Sequence, residues 1–346
     1  MKILFIGLGS IGQRHLRNLR RIMGDSVEVI AYRVKRQVPV LNDHLQVVEG
    51  AHNLAKRYNL LEFNNLDQAL AEKPDIAFIT NPSSMHVRTA LKAAEAGCHL
   101  FIEKPLSADL KEVDCLIELV EQKRLVVAVG YQLRFHPGLQ QIAAWLKEGR
   151  IGRLAFATLM QGEYLPGFHP YEDYRTSYAA RQELGGGVIL TQIHEFDYAR
   201  WFFGLPRRIF AVGGKLSHLE IDVEDTATVL MEYESEGRIF PVTLVLDYLQ
   251  SPPNRSCRVV GEEGKILLDF HAKTVRLHQR SSEKLEEHKI DLPDRNCLFM
   301  DELKQFLEAV EGRVTPSVDL RFGVDSLRMA IAARKSLESG KVVSLK

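Results

Sequence analysis

Cysteine is scarce in this chain of 346 residues, and its four copies lie far apart. Cys98, Cys115, Cys257 and Cys297 form no CxxC pair, and no histidine stands at the spacing of zinc ligands. This pattern argues against a disulfide framework and a structural zinc site, so we expect free thiols and no bound metal. Such thiols are typical of a reducing cytoplasm.

Net charge and long hydrophobic runs are also missing. The 45 Lys and Arg residues balance 45 Asp and Glu residues, so no overall field draws the chain to nucleic acid or an anionic membrane. No segment approaches 18 uninterrupted apolar residues, and the apolar run after Lys2 breaks at Gly7. These absences argue against a membrane span and a signal sequence. We therefore expect a cytoplasmic protein that binds neither nucleic acid nor membranes.

The first informative motif is a glycine-rich turn. A short apolar strand over 2–6 leads directly into GxGxxG, and an Arg-rich helix follows. Gly7 permits the tight turn, Gly9 lets the backbone approach a pyrophosphate, and Gly12 lets the helix pack close to the strand. A glycine turn with no ligand is the alternative, but three glycines would be a costly start for a helix. The predicted cofactor contacts here are Gly7, Gly9, Ser10, Ile11 and Gly12.

The end of the second predicted strand bears on the choice of dinucleotide. A carboxylate about 20 residues past the glycines would bind the ribose of NAD, but none occurs between Glu28 and Asp43. Instead Arg33, Lys35 and Arg36 stand where the 2'-phosphate of NADP would lie. We expect NADP to be favoured over NAD, with Arg33 as the phosphate contact. A solvated basic loop, and hence NAD, is the alternative.

Two domains are predicted from the length and from a change of pattern. Up to about residue 130, apolar strands alternate with amphipathic helices, such as a helix over 10–23 and a strand over 76–79. This alternation predicts an α/β Rossmann domain over 1–128 with a doubly wound parallel sheet.

The rest of the chain has a different pattern of predicted helices and strands. A helix is predicted over 188–203, and successive strands separated by turns follow over 208–290. We expect an α+β domain over 129–346 with a large, mostly antiparallel open sheet, for substrate binding and oligomerisation. Its last helix can pack back on the first domain.

Several segments together resemble the Gfo/Idh/MocA oxidoreductases, the family of glucose-fructose oxidoreductase and inositol dehydrogenase. The resemblance covers essentially the whole chain and rests on the order and spacing of the motifs. The matching segments are the glycine turn, Thr80-Asn81-Pro82-Ser83-Ser84-Met85-His86, Gly97-Cys98-His99-Leu100-Phe101-Ile102-Glu103-Lys104-Pro105-Leu106, Gly130-Tyr131-Gln132-Leu133-Arg134-Phe135, and Gly185-Gly186-Gly187 followed by His194.

The resemblance implies that Lys104 lies beside the nicotinamide and contacts the reacting hydroxyl. Oxidising an alcohol removes a hydride from carbon and a proton from oxygen, so a cation and a base are needed near that oxygen. An ion pair between Lys104 and Glu103 that caps the next helix is the alternative. The further cofactor contacts implied are Thr80, Asn81, Pro82, His86, Glu103 and Lys104.

His194 is the second catalytic residue that the resemblance implies, and imidazole titrates near neutral pH as such a base must. A packed core histidine is the alternative. Many relatives carry an aspartate three positions before this histidine, but this chain has Thr191. Asp197 or a substrate carboxylate can supply the missing charge, or the enzyme relies on Lys104 and His194 alone.

Substrate selectivity is expected in the aromatic segment over 162–178, which glycines and prolines punctuate. Arginines in and around it could bind a carboxylate or phosphate on a sugar. A brace at a subunit interface is the alternative role. With the 182–187 segment, the loop resembles relatives of surface-polysaccharide sugar pathways. The predicted substrate contacts are Arg134, Tyr174, Arg175, Thr191 and Gln192, with Arg181 nearby.

The sequence thus predicts an NAD- or NADP-dependent sugar dehydrogenase, acting on a substrate that can be anionic or nucleotide-linked. Two other hypotheses stay open: a glycoside hydrolase that retains NAD, and a non-catalytic sensor that binds a dinucleotide. The alternating strand around Val229, Met231 and Tyr233 belongs to a sheet with two faces to cover. We expect a homodimer or homotetramer formed through the open face.

Overall fold

A computed structural model describes residues 1–34, 38–50, 53–282 and 285–345. They form two compact units. The first comprises Met1–Gln132, His169–Glu172 and Arg295–Val324, and the second comprises Leu133–Phe168, Asp173–Asp294 and Asp325–Lys346. The first unit extends slightly past the boundary predicted after residue 128, and it also includes the helix Asn296–Val310.

Both units contain a sheet with helices. The strands are β1 Lys2–Ile6, β2 Glu28–Tyr32, β3 Leu61–Phe63, β4 Ile76–Ile79, β5 His99–Glu103, β6 Val127–Gly130, β7 Leu154–Gly162, β8 Arg208–Gly214, β9 Thr226–Ser235, β10 Arg238–Asp247, β11 Asn254–Gly261, β12 Gly264–Asp269, β13 Thr274–Gln279, β14 Leu285–Lys289 and β15 Val343–Ser344. The helices are α1 Ser10–Met23, α2 Leu54–Tyr58, α3 Leu66–Ala71, α4 His86–Glu95, α5 Val113–Lys123, α6 Pro137–Lys147, α7 Val188–Thr191, α8 His194–Phe203, α9 Asn296–Val310 and α10 Leu320–Ser339.

The first unit is a doubly wound parallel sheet of order β3-β2-β1-β4-β5-β6. Its central strands are apolar runs buried on both faces, as β4 shows, because helices cover each side. On one side α9 packs against α1, and Leu303 and Phe306 join Phe5 and Phe78 in the core. The strand order reverses between β1 and β4, and ligands bind at such a point outside the carboxyl ends of the strands.

The second unit is built on a nine-stranded sheet of order β14-β13-β12-β11-β7-β10-β9-β8-β15. Its pairs are antiparallel except that of β7 with β10, which is parallel. The predicted fold, a Rossmann sheet followed by a mostly antiparallel sheet, is confirmed.

One face of the second sheet is buried and the other is open. Along β9, Val229, Met231 and Tyr233 point to the buried face, whereas Leu230 between them is 46% exposed. Phe156 and Val212, on β7 and β8, are also exposed apolar residues of this sheet. Among the helices of the described residues, none is long and apolar enough to cross a membrane.

Local differences from the sequence prediction have physical causes. The helix predicted over 188–203 is interrupted, because the backbone of Gln192 leaves the helical conformation between α7 and α8. The edge strand β3 was not predicted, since it is only three residues long and has no fully buried position.

Candidate active site

The glycine turn has the geometry that a dinucleotide requires. Gly7 has φ of +97°, and a Cβ there would lie 2.9 Å from the backbone of Asn81 and Thr80. A Cβ on Gly12 would lie 2.5 Å from the carbonyl oxygen of Gly7. A Cβ on Gly9, by contrast, would meet nothing within 4 Å, which leaves space before the α1 N-terminus for a phosphate.

The loop after β4 adjoins this turn. The Thr80 hydroxyl donates to the Gly7 carbonyl at 2.6 Å, and Asn81 donates from its side chain to Thr89 at 3.1 Å. His86 is buried, with its ring nitrogens 2.7 Å from the Asn81 carbonyl oxygen and 2.8 Å from that of Pro105. His86 therefore links the loop to the turn after Lys104, and burial lowers the pKa of its imidazole.

Lys104 follows β5 at the carboxyl edge of the parallel sheet, the same edge as the glycine turn after β1. The preceding carboxylate, Glu103, is buried and accepts the Lys104 backbone N–H at 3.1 Å. Its other oxygen is 2.6 Å from Nε2 of His15 on α1. Glu103 therefore contacts both His15 and the backbone of Lys104.

Arg33 directly follows β2, and its guanidinium pairs with Glu62 on the neighbouring strand β3. Its backbone N–H donates to the Phe63 carbonyl oxygen, and its side chain is only 7% exposed. A cofactor 2'-phosphate on Arg33 would therefore share the guanidinium with a carboxylate. Lys35 and Arg36 lie outside the described residues.

A short piece of the predicted substrate loop belongs to the first unit. His169–Glu172 is part of it, and the Tyr171 hydroxyl lies near Ser10 of the glycine turn. Burial raises the pKa of Tyr171 to about 12. The sequence offered no reason to select this tyrosine among its neighbours.

In the second unit, Thr191, Gln192 and His194 are buried around the interruption between α7 and α8. The Gln192 side chain donates to the Asp247 carbonyl oxygen at 2.8 Å. Thr191 lies near the hydroxyl of Tyr248, a fully buried tyrosine that donates to the Ala179 carbonyl oxygen at 3.3 Å. The threonine that replaces the expected aspartate thus lies near a neutral group, since burial raises the pKa of Tyr248 well above its ordinary value.

Asp197 was a candidate for the missing carboxylate, and Arg134 was a predicted substrate contact. The two are paired: Nε and Nη2 of Arg134 donate to the carboxylate at 2.7 and 2.9 Å, and both residues are buried. The guanidinium also lies 4.7 Å from the ring centroid of Trp201. Arg134 and Asp197 are thus a buried ion pair within the second unit, and their roles at the substrate stay predictions.

A second buried ion pair, not anticipated from the sequence, adjoins His194. Arg255 on β11 donates to both oxygens of Glu195 at 2.7 and 3.0 Å, and Tyr198 donates to the same carboxylate at 3.0 Å. Glu195 is fully buried, and the Arg255 side chain is 16% exposed. Sequence alone could not join them, because they are 60 residues apart on a helix and a strand.

Two arginines in and near the predicted substrate loop, Arg175 and Arg181, are paired with carboxylates. Arg175 pairs with Asp173 at 2.7 Å and with Glu220 at 3.5 Å, and Arg181 pairs with Asp222 at 3.3 Å. The Tyr174 hydroxyl accepts the backbone N–H of Glu220. The loop therefore presents less free positive charge than its sequence indicates.

Comparison with known proteins agrees with this geometry. Residues 1–131 match the family described as "Oxidoreductase family, NAD-binding Rossmann fold", and residues 139–267 match the "GFO/IDH/MocA C-terminal domain". The chain is 28% identical to a myo-inositol 2-dehydrogenase of Thermotoga maritima, over 100% of this chain and 98% of that protein. It is 26% identical to a UDP-N-acetylglucosamine 3-dehydrogenase of Acidithiobacillus ferrooxidans, over 84% and 87% of the two chains.

Solved structures support the fold. The WlbA dehydrogenase of Bordetella pertussis, determined with NADH and UDP-GlcNAcA, superposes with a TM-score of 0.80 at 20% identity, over 100% of this chain and 99% of that one. The matches over both domains, together with the glycine turn and the lysine after β5, lead to one conclusion. The chain belongs to the Gfo/Idh/MocA oxidoreductase family and begins with an NAD-binding Rossmann domain.

Proposed function

We propose that this protein transfers a hydride between NAD or NADP and a hydroxyl or keto group of a sugar or sugar derivative. The observation that carries the proposal is the position of Lys104, which follows β5 at the edge of the sheet where the glycine turn opens. The names of two relatives, an inositol dehydrogenase and a nucleotide-sugar dehydrogenase, support the substrate class.

The described residues fit a dinucleotide. The open space at Gly9 and the α1 N-terminus would receive the pyrophosphate, while Thr80 and Asn81 form the adjoining loop. When bound, the nicotinamide accepts or supplies the hydride. The ion pair of Arg33 with Glu62 leaves the expected preference for NADP a prediction, because it places a carboxylate beside the cation that would bind the 2'-phosphate.

The proposed chemistry of the chain itself assigns two roles. The Lys104 ammonium stabilises negative charge that develops on the substrate oxygen, and the His194 imidazole accepts or returns the proton. Because Thr191 stands where the family's aspartate is expected and lies near the neutral hydroxyl of Tyr248, we propose that this pair acts without a third, carboxylate member. Thr191 and Gln192 remain proposed substrate contacts, as do Tyr174 and Arg175 at the rim of the loop.

The test is a spectrophotometric screen of sugars, sugar acids and nucleotide sugars with both cofactors. We expect net formation of reduced cofactor with at least one sugar or nucleotide sugar. A protein that retains NAD through purification and releases an aglycone without net reduction would instead be a glycoside hydrolase. Binding of dinucleotide with no turnover on any compound would favour a sensor.

We also propose that the protein assembles as a homodimer or homotetramer through the open face of the second sheet. Exposed apolar residues support this assembly, since Phe156, Val212 and Leu230 are 40%, 60% and 46% exposed on neighbouring parts of that face. Light scattering at micromolar concentration tests it, and a monomer there would contradict the proposal.

A further inference from the structure

A histidine of the first helix makes a buried contact with the residue before Lys104. His15 is completely buried on α1, and its Nε2 lies 2.6 Å from Oε1 of Glu103, whose side chain is 8% exposed. The second carboxylate oxygen, Oε2, accepts the backbone N–H of Lys104 at 3.1 Å. One carboxylate therefore connects α1 to the backbone of the proposed catalytic lysine.

The surroundings of His15 indicate which nitrogen carries the proton. The ring lies among Phe78, Phe101 and Phe299, with centroid distances of 5.9, 4.8 and 6.0 Å. Within the described part of the chain, Nδ1 of His15 has no hydrogen-bond partner. A protonated ring would bury a second N–H without an acceptor, which is costly. A neutral ring that donates from Nε2 to Glu103 satisfies the geometry.

The position of the Glu103 carboxylate also depends on the absence of a side chain at Gly130 on β6. A Cβ on Gly130 would lie 3.2 Å from Cδ and Oε1 of Glu103, closer than side chains ordinarily approach. Three elements thus fix the Glu103 carboxylate. Helix α1 carries the donor His15, β5 carries Glu103 itself, and Gly130 on β6 has no side chain to occupy the space of the carboxylate. On the other side of the turn, His86 holds the carbonyl of Pro105 at 2.8 Å.

We infer that His15 is a positioning residue for Lys104 and acts through Glu103. The inference rests on the proposed role of Lys104. The donor from His15 orients the carboxylate so that its other oxygen accepts the Lys104 backbone N–H. Without that donor, the carboxylate loses its fixed orientation, and the lysine loses a fixed negative neighbour. The titratable groups around Glu103 are His15, His86 and Lys104.

The test measures the Lys104 amine directly in the free, full-length protein. Trinitrobenzenesulfonate modifies unprotonated amines, and peptide mass spectrometry follows its reaction at Lys104 across a pH series. In His15→Leu we expect the midpoint of modification to fall by about 0.5 pH unit or more, because a nearby negative charge favours the ammonium form. His15→Gln keeps an N–H donor and should restore most of the parental midpoint, and Glu103→Gln should reproduce the fall.

Two further variants separate positioning from general destabilisation. Gly130→Ala presses on the carboxylate without touching His15 and should also lower the midpoint, which keeps the inference testable if His15→Leu does not fold. His99→Leu removes a half-buried histidine contact at the other end of β5, where the ring accepts the Val126 N–H, and should leave Lys104 unchanged. An unchanged midpoint in folded His15→Leu and Gly130→Ala would overturn the inference, as would an equal shift in His99→Leu.

A kinetic measurement separates this inference from the proposed function. On a sugar found in the screen, His15→Leu should lower kcat about 10-fold while NADH affinity changes less than about 2-fold. Failure of every sugar would count against the proposed function and leave the Lys104 modification as the test of positioning. Turnover on a sugar with an unchanged kcat in His15→Leu would count against the inference alone.

Discussion

The two units differ in how their site residues and buried charges are held in place. In the first, the predicted contacts are mostly glycines, backbone groups and short side chains at the ends of strands, such as Gly9 and Thr80. In the second, buried charges meet across long separations, as Arg134 meets Asp197 and Arg255 meets Glu195. A binding site formed by backbone groups can be recognised in the sequence as a local motif. An ion pair between side chains on separate elements can be recognised only in the folded structure.

The largest expected effect on stability comes from breaking the buried Arg255–Glu195 pair beside His194. Arg255→Leu should destabilise the second unit by about 3 to 5 kcal/mol, because it leaves the fully buried Glu195 without its charged partner. Urea denaturation followed by tryptophan fluorescence measures this unit alone, since both tryptophans, Trp145 and Trp201, belong to it.

The matched control for that substitution is an exposed ion pair just outside two strands of the same sheet, β7 and β11. Arg153 and Glu262 lie 2.8 Å apart, with side chains 49% and 44% exposed. Arg153→Leu should change stability by about 1 kcal/mol or less. Equal effects of the two substitutions would remove the distinction between buried and exposed charge in this unit.

The accuracy of the sequence-based predictions follows the same division between local motifs and long-range contacts. The helix over 10–23 and the strand over 76–79 coincide with α1 and β4, because glycine punctuation and uninterrupted apolar runs are local signals. The interruption at Gln192 was missed because its neighbours in the sequence do not mark it; in the fold the Gln192 side chain donates to Asp247, 55 residues away. The link from His15 to Glu103 was missed for the same reason, although a histidine on the buried face of a helix is itself a signal.

A second prediction concerns acid stability in the second unit. Burial, followed by the charge of Arg255, lowers the pKa of His136 to about 4, below its ordinary 6.5. The unfolded chain therefore binds a proton that the folded one excludes between those values, so stability falls as pH decreases from about 6.5 to 4. The expected contribution is about 3 kcal/mol, and none is added below pH 4.

His136→Gln isolates that term, because other groups that titrate in the window are common to both proteins. Tryptophan-monitored urea denaturation at pH 7 and pH 4.5 should show a smaller loss of stability in the variant. An identical loss in both proteins would show that His136 does not stay neutral in the folded unit.

A third prediction concerns the first unit and the choice of cofactor. Glu62→Gln removes the carboxylate paired with Arg33 and should raise affinity for NADPH relative to NADH about 10-fold, because a 2'-phosphate no longer competes with it. Arg33→Asp should weaken NADPH binding by about 2 kcal/mol or more. Calorimetric titration measures both, with Glu72→Gln, a carboxylate paired with Lys2, as the control. Unchanged ratios would place the 2'-position away from Arg33.

The smallest effect on the isolated chain is expected at the open face of the second sheet. Leu230→Glu places a charge at a position that is already 46% exposed, so the stability of the monomer should change by about 0.5 kcal/mol or less. Assembly through that face should nevertheless be lost, and light scattering should report the change from oligomer to monomer. An oligomer that survives the substitution would place the interface elsewhere.

The most direct test of the proposed chemistry compares Lys104→Ala and His194→Ala with the parent on a sugar from the screen. Each should lower turnover about 100-fold or more while the affinity for NADH changes little, because neither the alkoxide-stabilising cation nor the proton acceptor is needed to bind the dinucleotide. Lys111→Ala, at an exposed lysine after the same strand, should have parental turnover. Near-parental turnover in both active-site variants would contradict the account and place the chemistry at other residues.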